Sequence, residues 1–77
     1  MDQQTKIVEV LRRVTSSDVN PGLEENLFES GILDSFGLAD FVSALEKEFG
    51  VTVPDSDLIP RKFESISRID SYLGGLR

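Results

Sequence analysis

The sequence predicts an all-α fold: a small four-helix bundle of three longer helices and one short one, with a long loop between the first two. Three observations predict it. Apolar residues recur at the three-to-four spacing of a helix face in three separate stretches. Proline, glycine and serine clusters fall between those stretches, where helices have to stop. The run Val51-Thr52-Val53 is too short to argue for a sheet and reads as an extended connector.

The first helix is expected over residues 2–14, with Ile7, Val10, Leu11 and Val14 on one face, Val8 at its flank, and Glu9, Arg12 and Arg13 turned outward. Ser16-Ser17-Asp18 and then Asn20-Pro21-Gly22 stop it, because proline and glycine continue a helix only at a cost. Residues 19–34 have no repeating period. Long irregular connections are uncommon in compact domains and are often functional. Leu23, Leu27, Phe28, Ile32 and Leu33 imply that this one packs down onto the helices. The second helix spans residues 35–49, with Leu38, Phe41, Val42, Leu45 and Phe49 inward, Glu46, Lys47 and Glu48 on the solvent side, and Gly50 placed to close it in the left-handed conformation.

Asp55-Ser56-Asp57 has the look of a metal-binding pattern, but the rest of a calcium loop is absent, and a turn or helix cap is the preferred reading. Leu58, Ile59 and Phe63 make a short apolar segment of about one helical turn, interrupted by Pro60 for no reason the sequence supplies. Ser65 is placed to cap the last helix, in which Ile66, Ile69, Tyr72 and Leu73 share a face. Gly74-Gly75 is expected to end it and leave Leu76-Arg77 as a frayed tail. Phe28, Phe41, Phe49 and Phe63 are the bulky residues expected in the core.

A chain of 77 residues makes one domain, residues 1–77, with one modest core and no room for a large catalytic cleft. It has no cysteine and no histidine, which removes disulfides, thiolate metal sites, the commonest general base and the familiar nucleophile–base arrangements. No glycine-rich phosphate loop is present. No apolar run is long enough to span a bilayer and the N-terminus lacks a signal-peptide pattern, so a cytoplasmic location is expected; the protein is also expected to be a monomer. The net charge of −6 is unevenly placed. Asp18, Glu24, Glu25, Glu29, Asp34, Asp40 and Glu46 lie between Arg13 and Lys47 with no Lys or Arg among them. Such a field repels nucleic-acid phosphates and anionic membrane and attracts basic protein surfaces, although it also serves simply as a solvated surface.

The remaining chemistry is a modifiable serine. Ser35 falls at or beside the first turn of the second helix, where backbone N–H groups lack partners and the peptide dipoles sum to a partial positive charge. A serine there can cap the helix, and a phosphate on it would meet favourable donors. Leu33-Asp34-Ser35-Phe36 resembles the Asp-Ser-Leu type motif of acyl and peptidyl carrier proteins, whose serine is esterified by phosphopantetheine from coenzyme A. The resemblance extends along the chain through the opening helix, Leu27-Phe28-Glu29-Ser30-Gly31, Ala44-Leu45-Glu46-Lys47-Glu48-Phe49-Gly50 and Val53-Pro54, in the family's order.

Within that family the chain is similar to D-alanyl carriers and related stand-alone aminoacyl carriers, whose Leu-Phe-Glu-Thr-Gly-Leu-Leu-Asp-Ser-Met-Gly parallels residues 27–37. The basic pair Arg61-Lys62 is similar as well. Fatty-acid-synthesis carriers place acids directly after the motif, whereas Phe36-Gly37-Leu38-Ala39 precedes Asp40 here. A more apolar surface favours partners that dock by burying side chains.

The resemblance implies a covalent phosphopantetheine on Ser35, with Asp34 orienting the transferase and its metal ion or, equally, capping the helix. It implies a docking surface of Phe36, Leu38 and Asp40, in which Phe36 either faces partners or tucks into the bundle. It implies three partners: a phosphopantetheinyl transferase, an adenylating ligase and an acceptor transferase. The protein would carry an aminoacyl thioester and would not itself be an enzyme. The alternatives are a fatty-acid or polyketide carrier and, from a different class, an unmodified acidic interaction module.

Overall fold

A computed structural model describes residues 2–76. Four α-helices follow in order: α1 (Gln3–Thr15), α2 (Ser35–Phe49), α3 (Pro60–Phe63) and α4 (Ile66–Leu76), with a 3₁₀ turn at Asp55–Asp57. No strand occurs among the described residues. α1 packs against both α2 and α4, while α3 leans chiefly on α4. No helix among the described residues is long and apolar enough to cross a membrane.

Each helix starts and stops for a local reason. Asp2 precedes α1 and does not join it: its Oδ1 accepts the Thr5 N–H at 2.7 Å, and that bond holds the carboxyl below its ordinary pKa. Ile7, Val10 and Leu11 are sealed from solvent, and Ser16, at φ 53, ends the helix in the left-handed conformation before the proline and glycine are reached. Arg12 was expected to face outward, but its Nε donates to the Val19 carbonyl at 2.8 Å and fastens the start of the long loop. α2 buries Leu38, Phe41, Val42 and Leu45 and closes at Gly50, φ 64. Glu46 also departs from the expected solvent face. Its Oε2 accepts the Val53 N–H at 2.8 Å, and Val53 joins the core.

Pro60, unexplained by the sequence, occupies the first position of α3. A residue there has no helical acceptor for an N–H, and the fixed φ of proline suits the turn. α3 delivers Phe63 to the centre of the core, edge-on to Tyr72 at 5.3 Å between ring centroids and 71° between planes. Phe41 is equally sealed, but Phe28 and Phe49 are only half-buried against its margin, a correction to their expected place. Ser65 Oγ accepts the Arg68 N–H at 3.2 Å and caps α4 as expected. Gly74 and Gly75, however, do not end that helix, which runs on to Leu76. Leu73 and Leu76 pack on the core and offset the ~1 kcal/mol that each glycine costs in a helix. Arg77 lies outside the described residues.

The Tyr72 hydroxyl donates to Asp57 Oδ2 at 2.7 Å. Burial first, then that hydrogen bond and the Asp57 charge, push its pKa from 10.0 up to about 12. Deprotonation is thus easier in the unfolded chain, so this contribution to stability is intact below pH 10 and is lost as pH rises towards the folded value. Thermal melts across that window should show a steeper alkaline loss for the wild type than for Tyr72→Phe. Parallel pH profiles would refute the assignment.

Candidate functional site

The loop between α1 and α2 holds its shape through backbone bonds to remote parts of the chain. The Ser67 N–H donates to the Leu23 carbonyl at 3.0 Å, and the Leu27 N–H donates to the Glu64 carbonyl at 2.7 Å. Leu27, at the second anchor, is sealed and Leu33 after it nearly so, the two joined by a Leu33 N–H to Leu27 carbonyl bond of 2.9 Å. Leu23 differs from its expected packing: only its carbonyl is engaged, and half its surface is exposed.

Asn26 organises the turn from within. Its Oδ1 accepts the N–H groups of Phe28 and Glu29, both at 2.9 Å, and Gly31, at φ 82, reverses the chain in a conformation that favours glycine. Asn26 and Gly31 were not singled out as structural residues by the sequence reading. The signal was an Asn and a Gly in one short run, the residue types that make side-chain-bonded turns and left-handed reversals.

The turn delivers the chain to α2 in an extended conformation at Asp34 (φ −131, ψ 179). Asp34 Oδ1 accepts the Gly37 N–H at 2.6 Å, so Asp34, and not Ser35, caps the helix. Gly37 allows this close approach, since a Cβ there would stand 3.3 Å from the capping oxygen. The first bond of the helix ladder runs from the Leu38 N–H to the Asp34 carbonyl at 2.9 Å. Ser35 and Phe36 therefore have no helical acceptor for their N–H groups, at the positive end of a 15-residue helix.

Ser35 is the first helical residue, and it is exposed. With capping left to its neighbour, its hydroxyl is free for other chemistry. Asp34 and Asp40 are exposed beside it, and Phe36 stands 89 % exposed, turned to solvent and not tucked into the bundle. Leu38 does not join them. At 6 % exposure it opens the buried stripe of α2, so the expectation that it lies on the docking surface is not met. A crevice of about 230 Å³ separates the end of α1 from this corner, lined by Val14, Ile32, Leu33, Asp34, Gly37 and Asp40 among others.

A phosphodiester fits this corner: an exposed hydroxyl to bear it, helix-end N–H groups to receive its charge, and open solvent for a long substituent.

Residues 5–71 match the family described as "Phosphopantetheine attachment site". The D-alanyl carrier protein of Streptococcus mutans is 33 % identical over 77 residues, covering 100 % of this chain and 98 % of that protein. The D-alanyl carrier protein of Streptococcus suis is 31 % identical, over 92 % of this chain and 90 % of the relative. D-alanyl carrier protein 2 of Lactiplantibacillus plantarum is 29 % identical, over 99 % and 95 %. The family match runs from the first turn of α1 into α4, and the relatives align along nearly their whole lengths: this chain belongs to the carrier-protein family to which phosphopantetheine is covalently attached.

Proposed function

We propose that residues 1–77 act as one aminoacyl carrier domain, modified on Ser35 and visited in turn by a phosphopantetheinyl transferase, an adenylating ligase and an acceptor transferase. The observation that carries this reading is the exposed Ser35 hydroxyl at the start of α2, relieved of capping by Asp34. In the attachment step the Ser35 Oγ–phosphorus bond forms and the pyrophosphate bond of coenzyme A breaks. The adenosine bisphosphate half leaves, and the serine proton passes to a base of the transferase. When attached, phosphopantetheine supplies the thiol that this chain lacks, and a group is carried on it as a thioester.

The chain's own residues have three tasks in this scheme. Asp34 fixes the start of the helix through Oδ1 and has a second carboxylate oxygen for the transferase's metal ion. Phe36 and Asp40 meet the partners, one by apolar burial and one by charge. The bundle holds the attachment point rigid, so a tethered group reaches each partner at a high effective concentration. The protein is a substrate for its partners and performs no catalysis. The amino-acid preference is supported by the D-alanyl carrier names of the relatives and by the apolar residues that follow Ser35.

Mass spectrometry after incubation with coenzyme A and an active transferase tests the modification: the protein should gain one phosphopantetheine. An unchanged mass would instead support an acidic interaction module. Offering the loaded form amino acids and fatty acids with their adenylating enzymes tests the cargo, and acceptance of fatty acids alone would overturn the aminoacyl reading. Phe36→Ser should slow ligase loading by about tenfold while moving the melting midpoint little, since exposed positions change stability by only about 0.5 kcal/mol. Unaltered loading kinetics would remove Phe36 from the docking surface.

A further inference from the structure

The chain has a second surface of opposite character. An open groove of about 620 Å³ between α3 and α4 is lined by Ile59, Arg61, Lys62, Arg68 and Tyr72, with the hydroxyls of Ser67 and Ser71 along one side. It brings together three of the chain's eight basic residues and no acidic one, in a protein of net charge −6. The cations differ in how far they are already committed. Lys62 lies 3.7 Å from Asp57 and 5.4 Å above the Tyr72 ring, and Arg68 pairs with Glu64 at 3.0 Å. Arg61 is exposed and makes no ion pair among the described residues. Ile59, 42 % exposed, adds an apolar foothold at the rim.

We propose that this groove is a docking site for a short acidic segment of a partner protein. Charge complementarity selects the partner class, and the charge of the remaining surface narrows it. A bilayer or a nucleic acid presents charge over a wide front and would also meet the seven acids placed between Arg13 and Lys47. Of the groove's cations, Lys62 and Arg68 are already partly answered by Asp57 and Glu64, so a short peptide meets Arg61 as the uncommitted charge, with Ile59 beside it as the apolar foothold. Guanidinium groups suit carboxylates geometrically, and the serine hydroxyls offer further donors. The groove shares no residue with the crevice beside Ser35. A partner could therefore hold the carrier here while Ser35 stays accessible, and two weak contacts on one partner would reinforce each other.

The test is a nuclear magnetic resonance titration of the full chain with a synthetic Glu-rich peptide carrying one leucine, against a matched peptide in which Gln replaces Glu. The Glu peptide should give saturable amide shifts at Ile59, Arg61, Lys62, Ser67, Arg68 and Ser71, weakened by added salt. Arg61→Glu, and separately Arg61→Glu with Arg68→Glu, should weaken binding by about tenfold or more, with the spectrum still dispersed as for a folded chain. Both variants should still take up phosphopantetheine, which separates this surface from Ser35. Equal shifts with the Gln peptide, or unchanged affinity in the variants, would overturn the proposal. So would tighter binding at the same residues by inorganic phosphate or by vesicles containing anionic lipid.

Discussion

Replacing Ser35 with alanine is expected to abolish phosphopantetheine uptake completely while leaving the fold and its melting midpoint nearly unchanged. The side chain is exposed, and the cap is made by Asp34, so the substitution removes no structural bond. Alanine is also a better helix former than serine by a few tenths of a kcal/mol, which works in the direction of stability. Without Oγ no phosphodiester can form, and the effect on loading is all-or-none.

Asp34→Ala makes the contrasting control. Loss of the cap should cost about 1 kcal/mol, or roughly 4–8 °C in a domain of this size, and loading should slow without vanishing. Intact-protein mass spectrometry and circular dichroism melts read both quantities. A Ser35→Ala protein that still gained the group would place the attachment elsewhere.

Phe63→Ala is expected to give the largest loss of stability among the substitutions considered. The ring is fully buried where α3 meets α4 and stacks edge-on against Tyr72. Truncating a sealed phenylalanine costs about 3–5 kcal/mol from lost transfer energy and the cavity left behind. A 77-residue domain has a total of about 4–12 kcal/mol at ordinary stability per residue. The variant should thus melt at least ~12 °C lower and be partly unfolded at physiological temperature. Phe36, one of the same five phenylalanines but 89 % exposed, should show almost none of this. Equal melting midpoints for Phe63→Ala and Phe36→Ser would contradict the packing described above.

Much of the site was legible because its determinants are local. An Asp followed by Ser, Phe and Gly, then an apolar stripe beginning at Leu38, specifies a cap, a helix start and an inward face within a few residues of chain. The same locality misled at two points. Leu38 was assigned to both the stripe and the docking surface, and only burial shows that the stripe claims it. Gly74-Gly75 carries a stop signal that holds for an isolated helix, yet contacts of Leu73 and Leu76 with the core carry α4 through it.

By itself, the sequence determined the three longer helices, the closing Gly50, the Ser65 cap and the position of Ser35 at the head of α2, since periodicity and capping act over a turn or so. Tertiary structure decided which phenylalanines are sealed, that Arg12 and Glu46 turn back to hold backbone groups, and where the loop ahead of Ser35 is anchored. The reason is physical: the Leu27 N–H and the Glu64 carbonyl belong to the main chain, which every residue shares, so no side chain announces that the two will meet.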